Sequence, residues 1–486
     1  MVNKFTILIA ILVAVLTSCT NRPIISHISN NLSPDLDSII KRGKLVAVTD
    51  YNSINYFIYK GEPMGFNYEL LKAFTDHLGI DLDIITENHI NNALSLLKSG
   101  EADLLALGLT VNSARKKDIL FTDPIAQTRQ VLVQRKPGNW RSITEEAAEK
   151  SFIRKQTDLA HRNIYVQENS AYSERLKTLS NEIGDTINII EVPYDSEELI
   201  KDVAKGEIDY TVCDENIAMV NSTYFPGIDI NTPVSFMQNI AWGLPKSNSQ
   251  KLLTELNKWI DSYRRTGSYA LLYAKYFRNS RSESIVKSDY YYINTGKISQ
   301  WDDMIKSAST RINWDWRLLA SLICQESRFD PDVESRVGAY GLMQIMPLTG
   351  KNYGIDITAS PSDNIKAGAM YINLLQSIFE SKIANPQERI KFVLASYNAG
   401  PGHVLDAMKL AGKNGMDPEK WDGNVAVWLL KKSDPKYYND SVVKNGYFRG
   451  TESVNFVTEV LERYDHYRNI IPLDAQLSMV SKTGNR

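Results

Sequence analysis

The hydrophobic and polar positions of the chain follow two different patterns on either side of a polar stretch at residues 279–296. Before it, short β-rich runs alternate with helical stretches, beginning with KLVAVTD at residues 44–50. A first helical stretch ends at Gly79 and carries apolar residues on one side, at Phe66, Leu70, Leu71, Phe74 and Leu78. A helix, then Gly-Glu-x-Asp, then a strand occurs twice, at Gly100 and at Gly206. This alternation over residues 39–278 predicts two α/β lobes with mainly parallel sheets and a cleft between them.

Beyond the polar stretch, which we interpret as a linker, the periodicity is helical and few strand patterns remain. Apolar residues recur at helical spacing in five segments, at residues 301–309, 315–326, 363–380, 387–398 and 452–466. The apolar face of the fourth segment includes Tyr397, which therefore points inward. We predict an all-α domain over residues 297–470, followed by a tail at 471–486. The chain as a whole is thus expected to be multidomain.

One carboxyl group continues the apolar stripe of the second helical segment. Glu326 lies three residues after Ile323 and four after Leu322, which places it on the same helical face. Apolar surroundings disfavour the charged form of a carboxyl group and raise its pKa. A proton kept near neutral pH is what a general acid needs. The alternative interpretation is a structural Glu held in a salt bridge.

Composition and charge narrow the possible functions. The chain has 486 residues, 43% hydrophobic and 23% charged, which is typical of a globular protein of two to four domains. The net charge of −2, with acids and bases interspersed, argues against nucleic acid as a partner. None of the six His pairs with Cys or carboxylates at a ligand spacing, and no Gly-rich nucleotide loop occurs. We therefore expect no metal site and no cofactor.

The N-terminus predicts export. Residues 5–16 form an apolar run too short for an ordinary membrane span, and the segment ends in Leu16-Thr17-Ser18-Cys19. This sequence resembles a bacterial lipobox, which implies a signal peptide at 1–19, lipidation of Cys19 and a tether at 20–38. Since no Asp follows Cys19 as a retention signal, the resemblance favours a lipid anchor in the outer membrane, facing the periplasm. The alternative is a cleaved signal in which Cys19 has no role.

The first module resembles family-3 extracellular solute-binding proteins. The matching residues are Gly65-Phe66-x-x-Glu69-Leu70, Gly100-Glu101-x-Asp103, Leu109-Thr110 with Arg115, and Gly206-Glu207-x-Asp209 with Asp214. The resemblance implies two hinged lobes that close on an amino acid or a similar small polar solute. Arg115 then holds the ligand carboxylate and Asp214 the ammonium group. Tyr51, with Tyr56 and Phe57, either lines this cleft or packs in the core; the alternative for Arg115 is a surface residue.

The second module resembles soluble-type lytic transglycosylase domains, which share an all-α, goose-type lysozyme-like fold. Four blocks carry the resemblance in order: Gln325-Glu326-Ser327-x-Phe329, Gly338 to Pro347, Asn364-Ile365-x-x-Gly368-x-x-Tyr371, and Ala395 to Gly400. A fifth block, Tyr447 to Val457, has Phe456 where the family usually has Tyr. The module order resembles that of membrane-bound lytic murein transglycosylases, which implies that the partner is the glycan strands of peptidoglycan.

The resemblance assigns roles to the residues of these blocks. Glu326 protonates the glycosidic oxygen between N-acetylmuramic acid and N-acetylglucosamine, and then takes the proton of the muramic C6 hydroxyl, whose oxygen attacks C1. The residues expected to contact the substrate or support the acid are Ser327, Met343, Gln344, Tyr397, Asn398 and Glu452. A small ligand, amino-acid-like or a muropeptide, is expected to regulate the enzyme through the first module.

Two alternatives remain at this point. The α domain is a hydrolytic lysozyme-like muramidase, or the protein is a non-catalytic solute-binding lipoprotein whose α domain only attaches it to the cell wall.

Overall fold

The structure, a computed structural model, describes residues 35–112, 115–277, 288, 291–358 and 360–471. The predicted signal peptide, Cys19 and most of the tether lie outside the described residues, as does the tail from residue 472. No helix among the described residues has both the length and the apolar composition to cross a membrane. The domain boundaries drawn from the sequence stay predictions.

The first module consists of two lobes joined by two crossing strands. Lobe 1 contains α1 (Leu36–Arg42), β1 (Lys44–Thr49), β2 (Phe57–Tyr59), β3 (Glu62–Met64), α2 (Phe66–Leu78), β4 (Asp81–Thr86), α3 (Ile90–Ser99), β5 (Leu104–Leu105) and β6 (Ile119–Phe121). The chain crosses through β7 (Ala126–Thr128) and returns through β13 (Gln238–Ile240), which pair antiparallel. It then adds β14 (Gly243–Pro245), α8 (Gln250–Tyr263) and α9 (Gly267–Phe277) to lobe 1.

Lobe 2 is formed by the part of the chain between β7 and β13. It contains β8 (Gln130–Arg135), α4 (Glu145–Glu149), β9 (Asn163–Gln167), α5 (Ala171–Ile183), β10 (Asn188–Val192), α6 (Ser196–Lys205), β11 (Tyr210–Asp214), α7 (Glu215–Tyr224) and β12 (Ile228–Pro233). The prediction of two α/β lobes is confirmed.

The sheets are mixed, so the prediction of mainly parallel sheets is wrong. The strand orders are β4-β1-β5-β14-β6 in lobe 1 and β10-β9-β11-β8-β12 in lobe 2. In each sheet two strand pairs are parallel and two are antiparallel. The antiparallel pairs all involve β14 or β8, the strands that enter a lobe directly after a crossing. They run against their neighbours because the chain arrives from the other lobe instead of through a crossover helix.

The second module is all-α, as predicted. A short helix, α10 (Tyr292–Thr295), precedes it, and its helices are α11 (Asp302–Arg311), α12 (Trp316–Ser327), α13 (Pro347–Asn352), α14 (Pro361–Glu380), α15 (Pro386–Ala399), α16 (Pro401–Lys413), α17 (Ala426–Lys431), α18 (Pro435–Tyr438) and α19 (Thr451–Ile470). All five predicted helical segments are present. The helix α16 was not predicted, because Gly400-Pro401 looks like a helix end. Gly400 has a φ of 81°, which turns the chain, and Pro401 then occupies the first turn of the next helix.

Helix α12 runs through the core of the second module. Asp315 caps its N-terminus by accepting a hydrogen bond from the backbone N–H of Arg317. Helices α11 and α19 pack against it. Leu319, Leu322 and Ile323 are fully buried, and burying each stabilises the fold by roughly 1.5–3 kcal/mol. The helix that carries Glu326 is therefore held rigidly along its length.

The two modules share an interface. Ile58 of β2 is buried within the hydrophobic core of the all-α module. Helix α19 lies against β4 and β3, and the hydroxyl of Tyr56 is 2.7 Å from Nδ1 of His466 on that helix. Thr86 Oγ1 donates to the backbone carbonyl of Asn469 at 2.9 Å. Lobe 1 and the all-α module are therefore in direct contact.

Candidate active site

Glu326 lies in the last turn of α12 and is half-buried. Its carboxyl group makes no hydrogen bond or ion pair with any residue that the structure describes, which is not what a structural, salt-bridged Glu would show. Burial, and after it the negative charge of Glu452, raises the pKa of Glu326 to about 8. The arrangement provides a carboxyl group that keeps its proton at neutral pH.

The chain leaves α12 through an unusual backbone segment. Arg328 and Phe329 both have positive φ, at 52° and 64°, a region that residues other than Gly rarely occupy. Arg328 donates its backbone N–H to Cys324 O at 2.9 Å. Trp301 Nε1 donates to the carbonyl of Phe329 at 3.1 Å. These contacts fix the end of the helix directly after Glu326.

The loop at residues 338–347 is fastened by Asn364 of α14. The side chain of Asn364 accepts from the backbone N–H of Met343 at 2.9 Å and donates to the carbonyl of Tyr340 at 2.8 Å. A Cβ at Gly341, where φ is 77°, would lie 2.5 Å from Asn364 Nδ2, so only Gly allows this approach. Asn364 was not predicted as a site residue, although its position in the third sequence block was a signal for it.

Three of the residues predicted to contact substrate have side chains that bond to the loop or pack behind it. Ser327 is buried and donates its hydroxyl to Leu342 O at 2.9 Å. The Met343 side chain is fully buried against Gly368, so it lies in the core behind the loop. Gln344, with a φ of 46°, donates its amide N–H groups to Val333 O at 2.9 Å and to Gly341 O at 3.0 Å. Contact of these residues with substrate stays a prediction.

Of the other predicted residues, Tyr397 and Glu452 act on Glu326, and Asn398 links the two helices that carry them. Tyr397 on α15 donates its hydroxyl to Met343 O at 2.7 Å, and its own ionisation is opposed by burial and by the charge of Glu326. Asn398 accepts a hydrogen bond from Ser453 at 2.5 Å, which joins α15 to α19. Glu452, in the first turn of α19, is exposed and acts electrostatically on Glu326. The structure therefore brings α12, α15 and α19 to one site.

The two lobes of the first module enclose a second candidate site. A small cavity of about 90 Å³ is lined from lobe 1 by Thr110 and Arg115, and from lobe 2 by Tyr172 and Asp214. Arg115 is half-buried, and its guanidinium group donates to Thr110 O at 3.3 Å. Burial raises the pKa of Asp214 to about 7, and Tyr172 donates to it at 3.3 Å. A guanidinium group from lobe 1 and a carboxyl group from lobe 2 thus face one cavity, and these are the two kinds of group that can bind a zwitterionic ligand.

Asp50 also lines this cavity and was not predicted. It follows β1 directly, and the carboxyl ends of parallel strands are where α/β sheets bind ligands. Asn55 donates to it at 2.9 Å, and burial raises its pKa to about 6. The position of Asp50 after a predicted strand was the signal for it.

Tyr51 does not line the cavity. Its ring packs edge-on against Tyr56, with centroids 6.3 Å apart, and against Tyr292, at 6.5 Å. Tyr56 and Phe57 are buried in the lobe 1 core, in agreement with the packing alternative. Ligand contact by Tyr51 stays a prediction.

The all-α module also has an open groove of about 860 Å³ between α11 and α14. Met304, Met370 and Leu374 line it, and Glu326 does not. Because Glu326 lies outside this groove, we assign the groove no part in the reaction.

Each of the two modules matches a known protein family. Residues 44–279 match the family "Bacterial extracellular solute-binding proteins, family 3", and residues 303–419 match "Transglycosylase SLT domain". The second match ends before the block that contains Glu452. Among solved structures, an ancestral amino acid-binding protein that is a precursor of cyclohexadienyl dehydratase aligns with a TM-score of 0.42 and 23% identity, over 50% of this chain and 99% of that chain.

Curated relatives match nearly the whole chain. A protein of Desulfosudis oleivorans named membrane-bound lytic murein transglycosylase F is 35% identical over 429 residues, which cover 88% of this chain and 90% of the relative. A protein of the same name from Photobacterium profundum is 30% identical, over 97% of this chain and 87% of the relative. The chain therefore belongs to the membrane-bound lytic murein transglycosylase F family.

Proposed function

We propose that this protein cleaves the β-1,4 bond between N-acetylmuramic acid and N-acetylglucosamine without water, leaving a 1,6-anhydromuramoyl end. The family is one of lyases that act on peptidoglycan. The observation that carries the finer proposal is Glu326, a half-buried acid with no partner among the described residues and a pKa raised to about 8. A glycosidic oxygen needs a proton donor of this kind to become a leaving group.

Glu326 serves in both halves of the reaction. It first gives its proton to the glycosidic oxygen, the C1–O bond breaks, and C1 of the muramic sugar acquires oxocarbenium character. The Glu326 carboxylate then takes the proton of the C6 hydroxyl, and that oxygen bonds to C1. The sugar supplies its own nucleophile, so no water enters, and the intramolecular attack gains from proximity. Glu326 ends protonated and ready for the next cycle.

Glu452 has a supporting role in this proposal. Its negative charge favours the protonated form of Glu326, and it does not need to act as a nucleophile. Tyr397 holds the loop at 338–347 through Met343 O, so that the loop backbone forms one wall of the sugar site. Gln344 keeps its amide oxygen for an N-acetyl N–H, because its N–H groups already bond to Val333 O and Gly341 O.

A Glu326→Gln variant tests the role of the acid. Purified peptidoglycan is digested with the wild type and with the variant, and released muropeptides are identified by mass. We expect anhydro products from the wild type and none from the variant, because an amide of the same shape is too weak an acid to protonate the glycosidic oxygen. Equal product from both would refute the role of Glu326. No cleavage by the wild type would favour the non-catalytic lipoprotein.

We also propose that the cavity between the lobes binds a small amino-acid-like ligand or a muropeptide that regulates cleavage. Arg115 takes the carboxylate and Asp214 the ammonium group. Tyr291 supports coupling between modules, because its ring contacts Phe57 of lobe 1 and Tyr224 of lobe 2, with centroids 5.3 and 6.0 Å away. Movement of the lobes therefore changes the surroundings of the segment that leads into the catalytic module.

Ligand screening tests the regulatory role. Free L-amino acids and peptidoglycan stem peptides are screened for an increase in melting temperature, and any hit is added at saturation to the cleavage assay. We expect a change in cleavage rate. If a saturating hit changes neither the rate nor the relative orientation of the modules, the regulatory proposal fails.

The proposed location is the periplasmic face of the outer membrane, through a lipid on Cys19. The curated relatives carry the name membrane-bound, and the lipobox-like sequence supplies the means of attachment. A Cys19→Ala variant is expected to appear in the soluble periplasmic fraction, whereas the wild type is expected in outer-membrane vesicles. A soluble wild type would contradict the anchor.

A further inference from the structure

The two-residue turn between β2 and β3 packs directly against the catalytic module. Lys60 and Gly61 have φ angles of 50° and 78°, as a tight hairpin turn with two left-handed residues requires. A Cβ at Gly61 would lie 2.5 Å from the ring of Phe329, 2.7 Å from the hydroxyl of Tyr467 and 2.9 Å from Sγ of Cys324. All three belong to the catalytic module. Gly is therefore needed here for close approach as well as for its backbone conformation.

Polar contacts also hold this turn against the catalytic module, at a surface that we call its seat. The hydroxyl of Tyr467 donates to Gly61 O at 2.6 Å, and Arg463 lies 3.3 Å from the carboxylate of Glu62. Tyr467 and Cys324 are buried, so neither side chain has room to turn aside. A change of shape at Gly61 must therefore displace either the turn or the catalytic module.

The same seat touches the segment that follows Glu326. Phe329, three residues beyond the acid, holds a left-handed backbone, and so does Arg328 before it. Residues other than Gly keep such a conformation only where their surroundings impose it. Two contacts do so at Phe329: Trp301 bonds its carbonyl, and the turn at Gly61 packs on its ring. One of these two supports comes from lobe 1.

We propose that the turn Lys60–Gly61 is a positioning element of the catalytic site, which keeps Phe329 in its left-handed conformation and so fixes the end of α12 that carries Glu326. The inference rests on the proposed role of Glu326. It gives lobe 1 a task in catalysis that does not depend on a bound ligand. Among the described residues, the titratable groups that act on Glu326 are Glu452 from α19 and Tyr397 from α15, and their distances to the acid depend on how α12 ends.

A pair of Gly→Ala substitutions separates close contact from backbone strain. Gly43 of lobe 1 has a φ of 72°, close to that of Gly61, but a Cβ there meets nothing within 4 Å. Both variants are assayed as the full chain on a soluble peptidoglycan oligosaccharide. For Gly61→Ala we expect kcat to fall by about tenfold or more with little change in KM, because misplacing an acid weakens the transition state selectively. The basic limb of its pH profile is expected to move. Gly43→Ala should match the wild type in both respects.

A second variant keeps the test decisive if Gly61→Ala does not fold. Tyr467→Phe removes the donor to Gly61 O and adds no atoms, so it loosens the seat without a clash. We expect a smaller loss of kcat and a shift of the pH profile in the same direction. Wild-type kcat and pH profile in Tyr467→Phe, together with wild-type behaviour of any folded Gly61→Ala protein, would overturn the inference. Anhydro product from the wild type in the same assay shows that the proposed function itself stands.

Discussion

Tyr397 donates its hydroxyl to the carbonyl oxygen of Met343 at 2.7 Å, and this bond joins α15 to the loop beside Glu326. The loop has a second fastening at Asn364, which receives the backbone N–H of Met343. One residue of the loop is thus held from α14 and from α15 at once. The position of the loop beside Glu326 is consequently set by two helices of the core.

Removing this hydroxyl is expected to weaken both the loop and the reaction. Tyr397→Phe leaves the carbonyl of Met343 without its partner, which costs about 1–3 kcal/mol of unfolding free energy. We expect kcat to fall by about tenfold, because the loop is no longer fixed relative to Glu326. Tyr371→Phe is the matched control: its ring lies 5.4 Å from that of Tyr397 between centroids. Denaturant unfolding and cleavage kinetics measure the two effects, and equal losses in both variants would contradict a specific role for the bond.

The pH dependence of cleavage should report the raised pKa of Glu326. The reaction needs the protonated acid, so kcat is expected to be high below pH 8 and to fall as pH rises through about 8. Glu452→Gln removes the negative charge that helps to raise this pKa, and the basic limb should then move to lower pH. Glu419→Gln, an exposed carboxylate of the same module, should leave the profile unchanged. An unmoved limb in Glu452→Gln would show that Glu452 does not act on the acid.

The same raised pKa has a consequence for stability. In the unfolded chain a Glu ionises near pH 4.3, whereas in the folded protein Glu326 holds its proton to about pH 8. The folded state therefore binds this proton more tightly, and its contribution to stability is present below pH 4 and is lost as pH rises through about 8. Glu326→Gln should be at least as stable as the wild type at neutral pH. A marked loss of stability in a thermal melt would indicate a structural role for the carboxylate.

A buried ion pair supports the segment that leads to Glu452. Lys432 Nζ lies 3.1 Å from Asp406 Oδ2, and neither side chain is exposed to solvent. Asp406 also accepts from the backbone N–H groups of Lys444 and Asn445, at 3.0 and 2.8 Å. Asp406→Asn would leave a buried cation without its counter-charge, for which we expect a loss of about 3–5 kcal/mol of unfolding free energy.

Denaturant unfolding measures this loss, with Asp440→Asn as its control. Asp440 pairs with Lys413 at 2.6 Å near the surface, where an ion pair contributes little. If the two variants were equally stable, the Lys432–Asp406 pair would not be a structural support.

Ligand binding in the first module should depend on Arg115. Arg115→Met removes the guanidinium group that faces the cavity, and we expect the affinity for a ligand carboxylate to fall on the order of 10- to 100-fold. Lys116→Met, one residue further along and exposed, should bind normally. Titration calorimetry with whichever amino acid or stem peptide stabilises the wild type measures both. Normal binding by Arg115→Met would mean that Arg115 is a surface residue with no part in ligand binding.

Much of the fold follows from local pattern, because a helix or strand with one buried face repeats its apolar residues at a fixed spacing. The position of Glu326 on α12 is predicted in this way. The direction of β8 and β14 is not, since it depends on how the chain crosses between lobes. The burial of Met343 against Gly368 likewise depends on a contact between segments distant in sequence.

Prediction of the candidate sites from the sequence has the same limit. Motif position identifies the residues of a site, but not what each side chain does there. Ser327 and Gln344 lie in two of the predicted blocks, yet their polar groups bond to the loop carbonyls of Leu342 and Gly341. Asp50 has no conspicuous motif of its own, and only the closure of the two lobes places it beside Asp214.

The most direct test of the central claim follows the new bond at C1 of the muramic sugar. Wild-type protein digests purified peptidoglycan in water enriched in a heavy oxygen isotope, and the muropeptides are weighed. If the C6 oxygen of the sugar attacks C1, the products are one water lighter than hydrolysed ends and contain no heavy oxygen. Reducing muramic ends that carry the heavy isotope would mean that water is the nucleophile, and would contradict the proposed reaction.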